Sequence, residues 1–274
     1  MTPVSPATRE APSSHSRSAT LLLRFTALGY LAALLVVPVG MVFYRAFEKG
    51  LGTAWDAVTT PPAQHAFYLT CVITLVAVPA NAIFGVLTAW VLARYDFRGK
   101  RFLDVLVDLP FAVSPVVVGL ALVLVWGKNG WFQMTSVIFS VPGMILATIF
   151  VSLPFVVREV LPVLEEEGTD QEEAGSTLGA RGWQVFWRLT LPTIRWGLTY
   201  GIILSTARAI GEFGAIAVVS GKISGQTETM TLLVEDRFQS LDLTGAYAAG
   251  VVLAMLGISV LVLMTLLQRR HQRI

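Results

Sequence analysis

Glu172-Glu173-Ala174-Gly175-Ser176-Thr177-Leu178-Gly179, followed after nine residues by Leu189-Thr190-Leu191-Pro192, is the stretch whose reading decides the fold. An acidic patch (Glu165, Glu166, Glu167, Asp170, Glu172, Glu173) leads into it. Residues 171–178 are predicted to form a short helix, with Thr169 or Asp170 as N-cap and early carboxylates that suit the helix dipole. Gly179 permits the left-handed turn that ends such a helix. Trp183, Phe186 and Trp187 then share one face at i, i+3 and i+4 of a second helix, which Pro192 is expected to interrupt.

On either side of this polar loop the chain is strongly apolar. Of its 274 residues 54% are hydrophobic and 14% charged, against about 25% charged in soluble domains. One soluble core cannot use so much apolar surface, which excludes a secreted disulfide scaffold, a disordered chain and a conventional cytosolic enzyme. Six apolar stretches, 25–44, 66–93, 104–126, 141–157, 196–220 and 244–267, are each near the length of about 20 residues that crosses a bilayer. The expected fold is therefore an all-α integral membrane protein with six transmembrane helices. Residues 1–24, rich in Ser, Thr, Pro and Ala, read as a disordered cytoplasmic tail. The six-helix domain covers 25–267, and 268–274 form a second cytoplasmic tail. A cleaved signal peptide fits poorly, because the first apolar run is span-length and no small-x-small site follows it before Tyr44.

The charges orient the bundle. The two tails and the second and fourth loops hold 14 Lys and Arg, against five in the first, third and fifth loops. By the positive-inside rule both termini are cytoplasmic. This asymmetry accounts for the basic balance without nucleic acid. Cys71 is alone, and the three histidines lie outside the apolar runs, so no metal site is expected. No Gly-x-x-x-x-Gly-Lys-[Ser/Thr] loop occurs, so any ATP chemistry belongs to another chain.

The loop 158–195 resembles the cytoplasmic EAA loop of importer-type ABC transporter permeases: Glu-Ala-Ala, three residues, Gly, nine residues, an apolar residue, any residue, Leu-Pro. Two positions depart, Gly175 for Ala and Leu189 where Ile is common. Gly175 is expected to weaken its helix by about 1 kcal/mol relative to Ala. The resemblance implies the type I ABC importer permease fold. It also makes Glu172, Glu173, Ala174, Gly175, Gly179, Leu191 and Pro192 the candidate ATPase-coupling residues.

Four charges fall inside the expected spans: Asp104, Asp108, Arg208 and Glu212. A charge at mid-membrane costs roughly 2.5–3.5 kcal/mol, so these groups should face protein or water. Arg208 and Glu212, at i and i+4, can pair. They form either a structural ion pair or an anion-pathway cation with a tempering carboxylate. Asp104 and Asp108 are expected to snorkel or cap at the cytoplasmic end. In the third span Pro110 and Pro115 predict a kink, tolerated only where protein or a water-filled cavity surrounds it. Ser114 there is a candidate pathway residue; a plain proline kink without ligand contact is the competing reading.

The stretches 207–215 and 108–119 are similar to those of permeases for tetrahedral oxyanions. The continuation 218–225 is similar to W-type subunits of sulfate/thiosulfate importers. That resemblance implies half of a translocation pore in the bacterial cytoplasmic membrane. Its partners would be a homologous second permease (a heterodimer), two ATPase subunits that carry ATP and Mg, and an extracytoplasmic sulfate-binding protein. No cofactor is expected on this chain. A molybdate or tungstate permease, as a homodimer, is the alternative. A secondary transporter would need paired interrupted helices in two repeats, and an enzyme a cluster of titratable groups at one depth.

Overall fold

Prolines and glycines, more than polar loops, set where the helices begin, bend and end. The computed structural model describes residues 17–133 and 137–271. Its helices are α1 (Arg17–Phe47), α2 (Leu51–Val58), α3 (Pro61–Arg94), α4 (Lys100–Ala112), α5 (Pro115–Trp126), α6 (Val141–Glu167), α7 (Asp170–Thr177), α8 (Gly182–Val185), a π-helical turn (Phe186–Thr190), α9 (Leu191–Ile210), α10 (Gly214–Val219), α11 (Met230–Gln239) and α12 (Leu243–His271). Among the described residues there is no strand. Pro61, Pro115 and Pro142 stand in the first turn of their helices, where a missing N–H costs nothing.

The helices depart from the six expected spans in several respects. Helix α1 begins at Arg17, so residues 17–24 of the expected tail are helical, while 1–16 lie outside the described residues. At the other end α12 runs to His271, because leaving the bilayer does not oblige a helix to stop. Helix α6 likewise continues through Glu167, which places Arg158 in a helix and not in the loop. The fifth expected span, 196–220, is two helices, α9 and α10, interrupted at 211–213. Two short helices, α2 and α11, occupy segments read as loops.

Among the described residues four helices (α1, α3, α6, α12) are long and apolar enough to cross a membrane. Helices α4 and α5, bent by 117° at Val113–Ser114, make a fifth if taken as one span. That bend is the one the two prolines predict. Helix α9 is long enough, at about 30 Å, but less apolar. It packs against α3, α6 and α12.

Helices α3, α6 and α9 form the centre. Small residues let their backbones approach closely. A Cβ on Gly85 would lie 2.7 Å from the Val156 side chain, and one on Gly201 2.9 Å from the Val156 Cα. Two of the apolar cores among the described residues flank this centre. One joins Leu69 and Ile73 of α3 to Val118 of α5, Met144 of α6 and Ile216 of α10. The other joins Val86 and Leu92 to Val107 of α4, Val160 of α6 and Ile194 of α9. Between them lies a polar layer, in which Asn81 Nδ2 donates to Ser152 Oγ at 2.8 Å and to Ser205 Oγ at 3.3 Å. Helix α1 is mostly exposed, with Ala46 near its end buried and α12 and α2 as its neighbours.

Gly201→Val forces a side chain into the Val156 backbone. It is expected to cost about 1–3 kcal/mol and to lower the thermal midpoint of the detergent-purified protein. An unchanged midpoint would mean that α6 and α9 do not pack this closely.

Candidate coupling element and translocation path

The loop quoted at the outset folds as a helix–turn–helix. Helix α7 starts one residue earlier than expected, and Gly179 takes the left-handed conformation (φ 87°) that ends it. Thr169 occupies the N-cap position, but its hydroxyl donates to Glu173 Oε1 at 2.7 Å instead of serving the backbone. Pro192 does not interrupt the second helix. The ladder shifts to a π turn, in which the Leu191 N–H bonds to the Phe186 carbonyl. This wider turn absorbs the donor and the room that proline removes, so α8 runs on into α9.

The two departures from the motif touch each other. A Cβ on Gly175 would sit 2.9 Å from Leu189 Cδ1 and 3.6 Å from Val185 Cγ2. The longer leucine thus occupies the space an alanine would need. Glu172, Gly175 and Leu191 face inward, whereas Glu173, Ala174, Gly179 and Pro192 are exposed. Leu178 and Trp183 are exposed by 89% and 70%, an apolar tip beside the acidic patch.

Glu172 is bound by two side chains, Arg94 and Thr190. Arg94, at the end of α3, grips it with Nε on Oε2 at 3.1 Å and Nη2 on Oε1 at 3.2 Å. Thr190 Oγ1 donates to Oε1 at 2.9 Å. Arg94 Nη1 also donates to the Leu164 carbonyl of α6 at 2.8 Å. Sequence reading counted Arg94 only as a loop cation, because its partner lies 78 positions away.

Asp104 and Asp108 share one cation. Arg158 of α6 bridges them, with Nη2 at 2.8 Å from Asp104 Oδ1 and 2.6 Å from Asp108 Oδ2, and so ties α4 to α6. This too was missed, since Arg158 read as a loop residue.

The candidate path residues lie at the two helix breaks, which sit side by side. A Cβ on Gly214 would be 3.0 Å from Pro115 Cβ, and one on Gly119 2.8 Å from the Ala215 carbonyl. Ser114 is the N-cap residue of α5 and is exposed, while Pro110 lies in the last turn of α4. Arg208 Nη1 is 2.6 Å from Glu212 Oε2, the pairing their spacing predicts. Glu212 is not helical, however. Its Oε1 accepts the Ala215 N–H at 2.9 Å, and its carbonyl accepts Thr231 Oγ1 at 2.8 Å. The carboxylate is buried, while 30% of the Arg208 side chain stays exposed. The coupling loop and this pair are not one site, since 18 residues of helix, about 27 Å, separate Thr190 from Arg208.

Glu212→Ala leaves Arg208 without its anion and the α10 amide without its acceptor. A loss of roughly 3 kcal/mol is expected, the low end for a broken buried pair because Arg208 is partly solvated. Thermal unfolding of the purified protein measures it, and an unaltered midpoint would show that the pair holds nothing together.

A family model described as "Binding-protein-dependent transport system inner membrane component" matches residues 81–273. The "Sulfate transport system permease protein CysW" of Synechocystis sp. is 52% identical over 255 residues, covering 91% of this chain and 92% of that one. CysW of Escherichia coli (strain K12) is 46% identical, covering 87% and 84%. The "Sulfate transport system permease protein CysT" of Synechococcus elongatus is 38% identical, covering 91% and 92%. Among solved structures, a bacterial ABC transporter involved in the import of the acidic polysaccharide alginate superposes with a TM-score of 0.75 at 17% identity, covering 93% and 97%. The relatives are permease subunits and not enzymes. The chain belongs to the inner membrane components of binding-protein-dependent transport systems, with the fold of an ABC importer permease.

Proposed function

We propose that this chain forms half of a sulfate/thiosulfate translocation pore in the bacterial cytoplasmic membrane. Its partners in this reading are a homologous second permease, two ATPase subunits carrying ATP and Mg, and an extracytoplasmic sulfate-binding protein. The observation that carries the proposal is the 52% identity to a sulfate permease over nine-tenths of the chain. That relatives come in two kinds, CysW and CysT, supports a heterodimer over a homodimer. Both termini are cytoplasmic in this reading, as the Lys and Arg distribution requires.

The coupling role of 158–195 draws support from its surface. Leu178, Trp183 and Trp187 present apolar area, and Glu173 presents a carboxylate held only by its own loop. Large apolar groups with a charged rim suit a protein partner. Arg208 supplies positive potential at the breaks, and Glu212 behind it offsets part of that charge. An anion is then attracted without being trapped, the balance that conduction requires. Ser114 adds a hydroxyl on the exposed side of the neighbouring break.

Radiolabelled sulfate uptake should vanish on deleting the gene and return with the wild-type chain. Uptake that persists with no other sulfate route, or a deletion that abolishes molybdate uptake alone, overturns the substrate. Glu173→Lys places a like charge against any cation that reads this carboxylate, and substrate-stimulated ATP hydrolysis should fall about tenfold or more with membrane insertion intact. Normal coupled hydrolysis would remove Glu173 from the docking surface. Arg208→Ala should cut sulfate transport roughly tenfold, as the loss of one charge-assisted hydrogen bond does, while the complex still assembles. Undiminished transport would leave Arg208 a structural partner of Glu212.

A further inference from the structure

We propose that Arg94 is a positioning residue for energy coupling, clamping the coupling helix to the three central helices through Glu172. This rests on the reading of 158–195 as the ATPase-coupling element.

Helix α7 has eight residues and buries none of them. Beyond the contact of Gly175 with Leu189 it has little apolar area with which to hold its place. Glu172 supplies the attachment instead. Both of its oxygens are engaged by the Arg94 fork, and Thr190 adds a third bond from the turn that opens α9. A bidentate guanidinium–carboxylate pair fixes orientation as well as distance. The third nitrogen of the fork holds the Leu164 carbonyl, one of the four at the α6 C-terminus without a helical partner.

One guanidinium thus joins the ends of α3, α6 and α7, and the carboxylate it holds is joined to α9. The Arg94 and Glu172 side chains are only 9% and 19% exposed, so the pair is shielded from the salt that weakens surface pairs. The neighbouring Glu173 points outward. The two adjacent glutamates therefore divide the work, one facing a partner and the other carrying the partner's push into α3, α6 and α9. Lysine cannot replace Arg94, because a point charge lacks the fork.

The test uses the full complex of both permeases, ATPase and binding protein. Sulfate-stimulated ATP hydrolysis and sulfate moved per ATP are measured in proteoliposomes, each normalised to assembled complex, for R94Q, E172Q, R94Q/E172Q, R94K and T190V. The amide exchange of residues 170–178 is followed in the same preparations. Each glutamine variant should lower sulfate moved per ATP roughly tenfold or more. The double variant should do no worse than the worse single, since the pair acts as one unit. R94K and T190V should fall between them and wild type. Exchange across 170–178 should rise at least about tenfold in R94Q and not elsewhere in the bundle.

A purely structural pair would reduce the amount of complex and leave sulfate per ATP alone, and that result overturns the proposal. So does a double variant whose loss is the product of the two singles. If the glutamine variants fail to assemble, R94K and T190V decide, and wild-type coupling in both overturns the clamp. Amide exchange needs no substrate. A wild-type complex inert towards sulfate therefore defeats the sulfate reading, while unchanged exchange in R94Q defeats the clamp whatever the cargo.

Discussion

Backbone polar groups inside a lipid-surrounded bundle have no water to bond, and this constraint shapes the middle of the molecule. A broken helix exposes several such groups, and the described residues hold two breaks, at 113–114 and 211–213. Each is closed from within. The Val113 N–H bonds to the Leu109 carbonyl, and the Ser114 carbonyl accepts the N–H groups of Val117 and Val118. At the other break the Glu212 side chain takes the Ala215 N–H, and Thr231 reaches the Glu212 carbonyl. Gly119 and Gly214 then allow α5 and α10 to pack without side chains between their backbones. A carboxylate that costs free energy to bury here replaces a missing backbone acceptor and offsets part of the Arg208 charge at the same point.

The sequence made most of this legible where the cause is local. Proline placement predicts the third-span bend, Gly179 the end of α7, and the i, i+4 spacing the pairing of Arg208 with Glu212. Causes distant along the chain stayed hidden. Arg94 and Arg158 read as loop cations because their carboxylates lie 78 and about 50 positions away. Nothing in Gly211-Glu212-Phe213 forbids a helix, so the second break shows only once α5 is packed against α10. Pro192 misled in the opposite sense, since a break was expected where the ladder widened to a π turn. Helices α2 and α11 are too short for periodicity to separate them from loops.

The motif departures carry a related lesson. Read one at a time, Gly175 costs helix stability and Leu189 is a neutral exchange of apolar residues. In space they are one packing decision. An alanine at 175 would need its methyl group where Leu189 Cδ1 lies. The propensity cost of glycine is thus met by a closer approach of α7 to the helix that follows. Each substitution is read together with the other, and the fourteen-position spacing that the motif fixes is what brings them together.

The two arginine networks differ in a way that bears on how the bundle can give. Arg158 and its two aspartates are 31–49% exposed. Solvent and salt weaken that tie between α4 and α6, and one cation faces two anions. The Arg94 fork is nearly enclosed, and its carbonyl and hydroxyl partners complete the hydrogen bonding that a buried pair needs. Helix α7 is thus joined to α3, α6 and α9 through an enclosed contact. The link from α6 to α4 is the solvated one, and beyond it lies the 117° bend to α5.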